Sequence, residues 1–424
     1  MRAEWVECPA GGERAAAARV RGMVAAGASV AAVVQEIVER VRQSGDHALL
    51  DYERRFGGGD APLRVAPEEL RAALATLDPA VRAGLEVARA NVAAVAAAGR
   101  GEERREVALP EGQTVTLREV PVRRAAVYAP GGRAPYPSSV IMGAVTARAA
   151  GVDEVVVCAP AHPVILAACA LCEADEVYRM GGAQAIAALA HGTESVRPVD
   201  VIVGPGNLYV QEAKRQVSAT VGIDGFAGPS DLAVVLSEGA DPALVALDLL
   251  AQAEHGEETL VAAVAASDGL LDDVAVEIGA RLRERPTVAQ AACALVHAAD
   301  LEAALAFVEA LAPEHLQLIG AEAEALAPRV RSAGCLFVGA ASATAFGDYV
   351  AGSNHTLPTD GAARFASGLS VRHFVRRMAE VRVSPAAAAA LAPHGVAVAR
   401  AEGFAVHAES MEARARDASD SAPA

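Results

Sequence analysis

The sequence predicts an α/β protein, with two blocks of parallel sheet and helical extensions at its two ends. Three observations carry this. From about residue 123, short Val- and Ile-rich runs alternate with stretches of helical period. The short runs end in small residues, "APGG", "AP", "GG" and "GPGN", as strand-to-helix turns do. A second alternating block follows Ser230. Strand–helix alternation implies parallel sheets with helices on both faces.

Each element has its own reason. In residues 29–41, "SVAAVVQEIVERV", Val30, Val33, Val34, Ile37, Val38 and Val41 share one helical face, and Ser29 is the candidate N-cap. "SGD" at 44–46 ends that helix and a second runs to about Arg55. Residues 68–98 read as helical, so the region before 123 is an α-rich scaffold. The first block then runs strand "RRAAVYAP", helix "SSVIMGAVTARAAG", strand "DEVVVCAP", helix "PVILAACALCEA", strand "DEVYRM", helix "GGAQAIAALAHG", strand "VDVIVGPGN", helix "LYVQEAKRQV". In the second block "DLAVVL" and "ETLVAAVAA" are strands around the helix "DPALVALDLLAQAEH", and "HLQLIG" and "CLFVGA" are further strands. The tail from about 369 reads as helical, with a polar, frayed end over 411–424.

Composition narrows the function. The chain has 424 residues and a net charge of -16, which argues against nucleic acid and anionic membranes as partners. No apolar run reaches the length of a membrane span, and the N-terminus lacks the apolar core of a signal peptide. The cytoplasm is the expected location. Lys214 is the one lysine. The six cysteines lie in apolar segments, as buried free thiols do, and "CALC" at 169–172 reads as a packing feature.

Ligands of open parallel sheets bind at the carboxyl ends of the strands, so the first block is expected to take a dinucleotide or another phosphate-bearing ligand. The G-x-G-x-x-G fingerprint is absent, and periodicity alone does not establish NAD binding. Four stretches of the second half carry chemistry. "AQAEHG" places Gln252 and His255 at i and i+3. "FGDYVAGSNHTLPT" holds Asp348 and His355, and "AEGFAVHAES" holds Glu402 and His407. "APEHLQL" sets Glu314 beside His315 after Pro313, where irregular backbone lets both face one cleft. Imidazoles, carboxylates and an amide from separate segments are what a metal site assembled by folding needs.

These four stretches resemble the signature segments of the histidinol dehydrogenase family. So do "APGGRAPYPSSVIMGAV", "GGAQAIAALAHGTESV", "GPGNLYVQEAKRQV" and "GIDGFAGPSDL". They stand in the family's order, from about residue 20 to 415. The resemblance implies two Rossmann-like parallel-sheet domains and an intertwined homodimer with composite active sites. It divides the chain into an N-terminal extension that packs in the dimer (1–21), a discontinuous catalytic and zinc domain (22–127 and 231–368), an NAD-binding domain (128–230) and a C-terminal helical dimerisation tail (369–424).

The implied activity is NAD-dependent four-electron oxidation of L-histidinol to L-histidine through the aldehyde. The implied zinc ligands are Gln252, His255 and Asp348 from one subunit and His407 from the other. Glu402 reaches the substrate across the same interface, and Ser230 contacts it too. Tyr128, Gln184 and Asn207 bind NAD, and Glu314 and His315 are the acid–base pair. Gly225 stands where methionine is frequent and Asp231 where glutamate is usual, which bears on substrate positioning. Relatives oxidise other small alcohols, including sulfonated diols. From different classes, a zinc hydrolase using Glu314 and a thiol-based aldehyde dehydrogenase stand as alternatives.

Overall fold

The structure is a computed structural model that describes residues 1–24, 27, 29–59, 61–131, 134–226, 228–283, 285, 288 and 290–420. Gly132 and Arg133 of the first signature segment, Ala227 of "GIDGFAGPSDL" and the tip 421–424 of the tail lie outside the described residues. The fold is mixed α/β, with parallel sheets and helices as expected. The chain divides into two compact units. One comprises Met1–Gly99 and Val122–Phe374, the other Arg100–Pro121 and the segment from Val375 onward.

The larger unit holds two parallel sheets. The five-stranded sheet has the order Glu176–Tyr178, Glu154–Cys158, Arg124–Tyr128, Val201–Val203, Gly222–Ile223. Arg124–Tyr128 and Val201–Val203 are buried throughout, which is why they read as unbroken apolar runs rather than alternations. The chain builds outward from Arg124–Tyr128 on one side and then returns to its other side at Val201–Val203. That reversal opens a crevice beside Tyr128.

The helix Ala31–Phe56 covers this sheet. Val34, Ile37, Val41, Leu49 and Tyr52 share a core with Tyr178, Ile186 and Ile202. Each such side chain stabilises by about 1.5–3 kcal/mol on burial. "SGD" separates two helical segments at a kink, as expected: Gly45 has the non-helical φ 51° and ψ -133°. The positive φ favours glycine, and a Cβ there would lie 2.3 Å from the Glu194 carboxylate, which would have to move. The first helical residue is Ala31 with Val30 as N-cap, and Ser29 stands one residue further out. The stretch 68–98 is two helices, Pro67–Ala75 and Pro79–Ala98, because Asp78 caps the second and Pro79 opens it.

The six-stranded sheet runs Arg2–Cys8, Ala292–Ala298, Leu260–Ala265, Asp231–Leu236, His315–Ile319, Cys335–Val338, all parallel. Arg2–Cys8 is an edge strand that sequence pattern missed. Of its residues from Ala3 on, only Val6 and Cys8 are buried, and two glutamates interrupt its apolar signal. The smaller unit pairs Val375–Arg382 with Thr114–Pro121 and that strand with Arg104–Ala108, antiparallel throughout. The tail therefore opens on a strand, not a helix. Val375–Arg382 is largely exposed and its partner lies far back in the sequence, so local pattern gave it no signal. The helices Pro385–Ala401 and Ala405–Asp420 follow. Among the described residues no helix is long and apolar enough to cross a membrane.

Candidate active site

The acid–base pair is set by a helix end. Leu301–Leu311 stops at Ala312, whose φ of 48° turns the chain over, and Pro313 prevents the helix from continuing. Glu314 therefore lies just before the strand His315–Ile319, in irregular backbone, and His315 is its first residue. This lets neighbours that a regular strand would send to opposite faces share one site. The position is the amino end of the sheet: His315 lies in register with Leu232 and Cys335, the second and first residues of the flanking strands. Strand carboxyl ends, where ligands were expected in the first block, are not where this pair sits.

The surroundings of the pair come from three other segments. Ser230 Oγ donates to Glu314 Oε2, and the Asp231 N–H reaches the same oxygen at 3.2 Å. Asp231 Oδ1 accepts the Glu314 N–H at 2.6 Å, and the other Asp231 oxygen pairs with Arg21. His315 Nδ1 donates to the Asp231 carbonyl at 3.3 Å, which aims Nε2 the other way. Nε2 faces Asp348 Oδ1 at 3.7 Å, while Nδ1 lies 3.6 Å from Glu314 Oε2. Asp348 sits in the helix Thr344–Tyr349, and its carbonyl accepts from His355 Nδ1 at 2.9 Å.

The electrostatics follow from burial and neighbours. Burial pushes the Glu314 carboxyl up to about 7, against the pull of His315 and the Ser230 hydrogen bond. Burial also disfavours the His315 imidazolium, but Glu314 and Asp348 on its two sides outweigh it and lift the group to about 9. Asp348 is half-buried, which by itself would raise its pKa, but His315 holds its carboxyl below the usual range in spite of that.

Gln252 lies one residue from the end of the helix Pro242–Ala253, and His255 lies just past it. The i,i+3 relation survives in another form: His255 turns back so that its Nδ1 meets the Gln252 carbonyl at 3.0 Å. Gln252 Nε2 donates to Ser230 Oγ. Its Oε1 is buried with no hydrogen-bond partner. An orphaned buried amide oxygen, with an exposed imidazole three residues on and the half-buried Asp348 carboxylate within electrostatic reach of that imidazole, suits a cation. Among the described residues no three His, Cys, Asp or Glu form a metal-holding group by themselves. Glu402 and His407 belong to the smaller unit. Glu402 caps Pro385–Ala401, and His407 is exposed on Ala405–Asp420 with its ring 5.2 Å from that of Phe404.

Tyr128, Gln184 and Asn207 line one cleft of ≈ 930 Å³ at the crevice of the five-stranded sheet. The Gly182 N–H donates to the Tyr128 hydroxyl at 3.0 Å, and Asn207 caps the helix Leu208–Val217. Gly204, with φ 117°, passes so close to Tyr128 that a Cβ would lie 2.1 Å from its carbonyl oxygen. Helix starts and small residues around a cleft of this size fit a dinucleotide. Sequence reasoning missed Glu53 and Phe56 in this cleft and Arg21 beside the pair, and it named Asp231 for substrate positioning rather than as the acceptor of the Glu314 N–H. Glu53 left a trace: it lies one turn from Leu49 on the apolar stripe of its helix.

The cysteines take no part. All six are free, and burial raises every one of their pKa values, so no thiolate nucleophile is prepared. This removes the support for a thiol-based aldehyde dehydrogenase.

The family model described as Histidinol dehydrogenase matches residues 22–415. The chain is 44% identical over 405 residues to the histidinol dehydrogenase of Thermobifida fusca strain YX, covering 91% of this chain and 92% of that one. It is 43% identical over 432 residues to that of Mycobacterium bovis, covering 95% and 96%. The crystal structure of histidinol dehydrogenase from Elizabethkingia anophelis superimposes with a TM-score of 0.88 at 29% identity, covering 94% of this chain and 96% of that one. With the match running through both sheets and the acid–base pair, the chain belongs to the histidinol dehydrogenase family.

Proposed function

We propose that this chain oxidises L-histidinol to L-histidine through L-histidinaldehyde, by four electrons, as a step of histidine biosynthesis in the cytoplasm. The observation that carries the reading is the buried Glu314–His315 pair, flanked by Ser230 on one side and Asp348 on the other.

NAD would be held through the cleft of Tyr128, Gln184 and Asn207, and its nicotinamide ring would supply the hydride acceptor, twice per substrate, at the acid–base pair. Zinc, when bound, supplies the Lewis acidity that orients the substrate's imidazole and amino nitrogens. Gln252, His255 and Asp348 would hold it, with His407 from a second copy of the chain. Glu402 would reach the substrate from that copy. On this reading the five-stranded sheet with the helix Ala31–Phe56 is the NAD-binding part and the six-stranded sheet the catalytic part, in an intertwined dimer of Rossmann-like domains.

The chain's own residues move the protons. His315 takes the hydroxyl proton at Nε2, since Nδ1 is committed to the Asp231 carbonyl. Asp348 is one of the two carboxylates that hold a proton on His315. Once Asp348 is engaged by a cation, Glu314 alone is left to do so, and the imidazole is freer to act as a base. Glu314, raised by burial, then deprotonates the water that adds to the aldehyde. His315 serves again in the second oxidation. Ser230 holds the Glu314 carboxylate in place for this. Because the two residues are adjacent, both act on one carbon without the substrate leaving.

The test is incubation with L-histidinol and NAD⁺ while NADH and L-histidine are counted. Two NADH per histidine are expected. No turnover of L-histidinol, with turnover of a sulfonated diol instead, would replace the substrate. No NADH from any alcohol would overturn the reading.

A further inference from the structure

The cleft beside Tyr128 holds an acid that the proposed chemistry does not use. Glu53 is only 5% exposed. Its Oε1 accepts the Gly181 N–H at 3.1 Å and Gln184 Nε2 at 2.9 Å. Both donors are neutral, and among the described residues no cation compensates the charge. Burying a carboxylate without a counter-charge is costly, and burial raises its pKa. The turn after the helix wraps the group closely: a Cβ on Gly58 would lie 2.3 Å from Oε2. Glycine at 58 therefore lets the chain close around the acid while the acid still lines the cleft.

The neighbours say which end of a dinucleotide lies here. Phe56, one turn after Glu53, is 57% exposed, lines the same cleft and stacks on Tyr52 at 5.8 Å and 7°. A flat, half-open ring held this way is a platform for a purine base. None of Ser230, Gln252, Glu314, His315 and Asp348 lines this cleft. The hydride-accepting ring must reach those residues, so the cleft near Glu53 is left for the adenosine end. A carboxylate with fixed neutral donors on one oxygen matches a sugar diol, whose hydroxyls can donate to it. It opposes a phosphate, which brings only acceptors and negative charge. Arg179, also on the cleft, offsets this only in part: Glu69 holds its Nη2 at 2.7 and 2.9 Å, while its Nε is buried with no hydrogen-bond partner.

We propose that Glu53 is the specificity-determining residue for the dinucleotide: it accepts the hydroxyls of the adenosine ribose and rejects a 2′-phosphate, so the chain takes NAD and not NADP. This rests on the reading of the chain as a dinucleotide-dependent dehydrogenase. The test is calorimetric binding of NAD⁺, NADP⁺ and the 2′-deoxyadenosine analogue of NAD⁺ to the wild type, Glu53→Gln and Glu53→Thr. The wild type is expected to favour NAD⁺ over both other ligands by about tenfold or more, the range of hydrogen bonds to a charged group. In both variants NAD⁺ should weaken by a similar factor and the preference over NADP⁺ should collapse. The analogue should bind the variants as tightly as NAD⁺ does. Equal weakening of all three ligands, with the preference intact, would mean that Glu53 only holds Gln184 and would overturn the proposal. A wild type that binds none of the three would instead overturn the dehydrogenase reading beneath it. The isosteric Gln and the smaller Thr fail to fold for different reasons, so one folded variant is enough to decide.

Discussion

The side chain of Asp231 accepts the backbone N–H of Glu314 at 2.6 Å while it pairs with Arg21 on its other oxygen. Arg21 in turn donates to the Leu311 carbonyl at 2.6 Å, so one ion pair ties the helix end at 311 to the loop that carries the acid–base pair. Asp231→Asn keeps an acceptor for Glu314 but removes the charge opposite Arg21. Breaking a buried pair from one side costs about 3–5 kcal/mol. Arg21 is a quarter exposed, so a loss near the lower end is expected in urea unfolding. Asp231→Ala loses both contacts and should also lower kcat more than Asn does. Equal kcat in the two variants would show that the hydrogen bond to Glu314 plays no part in placing the pair.

His315→Asn removes the base and roughly keeps the shape. General-base catalysis contributes about 10²–10⁴-fold, so histidinol oxidation should fall by that order. Zinc content should stay at the wild-type level, because the proposed donors on this chain are Gln252, His255 and Asp348. An active His315→Asn enzyme would remove the residue from the mechanism.

Glu314→Gln removes the water-activating carboxylate but not the base for hydride transfer. Single-turnover measurements started from the aldehyde should show a larger defect than those started from histidinol. Small and equal effects on both steps would make Glu314 a structural residue held by Ser230 and Asp231.

A buried cluster elsewhere governs acid stability. Glu176 is buried, which by itself would raise its pKa, but hydrogen bonds from Arg124, Tyr178 and Arg197 together hold it down at about 2. Its folded pKa lies below its ordinary value of 4.5, so its contribution is present above about pH 4.5 and is lost as pH falls towards 2. The stability gap between wild type and Glu176→Gln should therefore be constant near neutrality and close between these limits. A gap that does not change with pH would mean that the carboxylate charge contributes nothing.

The parallel sheets were legible because their strands are buried on both faces and read as continuous apolar runs between helical ones. Val375–Arg382 was not, because it is largely exposed and finds its partner across more than half of the chain, and the hairpin Arg104–Ala108/Thr114–Pro121 was not, because its first strand is wholly exposed and its second mostly half-buried. The pair Glu314–His315 stood out as an acid and an imidazole set in apolar sequence. Its support did not. Arg21 lies 210 residues from the Asp231 it pairs with, and Asp231 reads as the polar start of an apolar strand. Their roles come from tertiary pairing at strand ends, which no local period encodes. Glu53 was hidden for the opposite reason, since a single acid on a long amphipathic helix looks like a solvated position until burial is known.

The last prediction concerns the dimer. His407 lies on Ala405–Asp420 in the smaller unit, while Gln252, His255 and Asp348 lie in the larger one. If His407 completes the zinc site of a second copy, neither copy has a complete site alone. His255→Ala and His407→Ala should each be nearly inactive. Refolding the two together makes heterodimers in which one site carries both defects and the other carries neither. Random pairing makes about half of the dimers mixed, each with one of its two sites intact, so about a quarter of wild-type activity should return. Zinc content should rise in parallel, because the intact site regains its full donor set. A refolded mixture as inactive as its parents would show that His407 acts within its own chain.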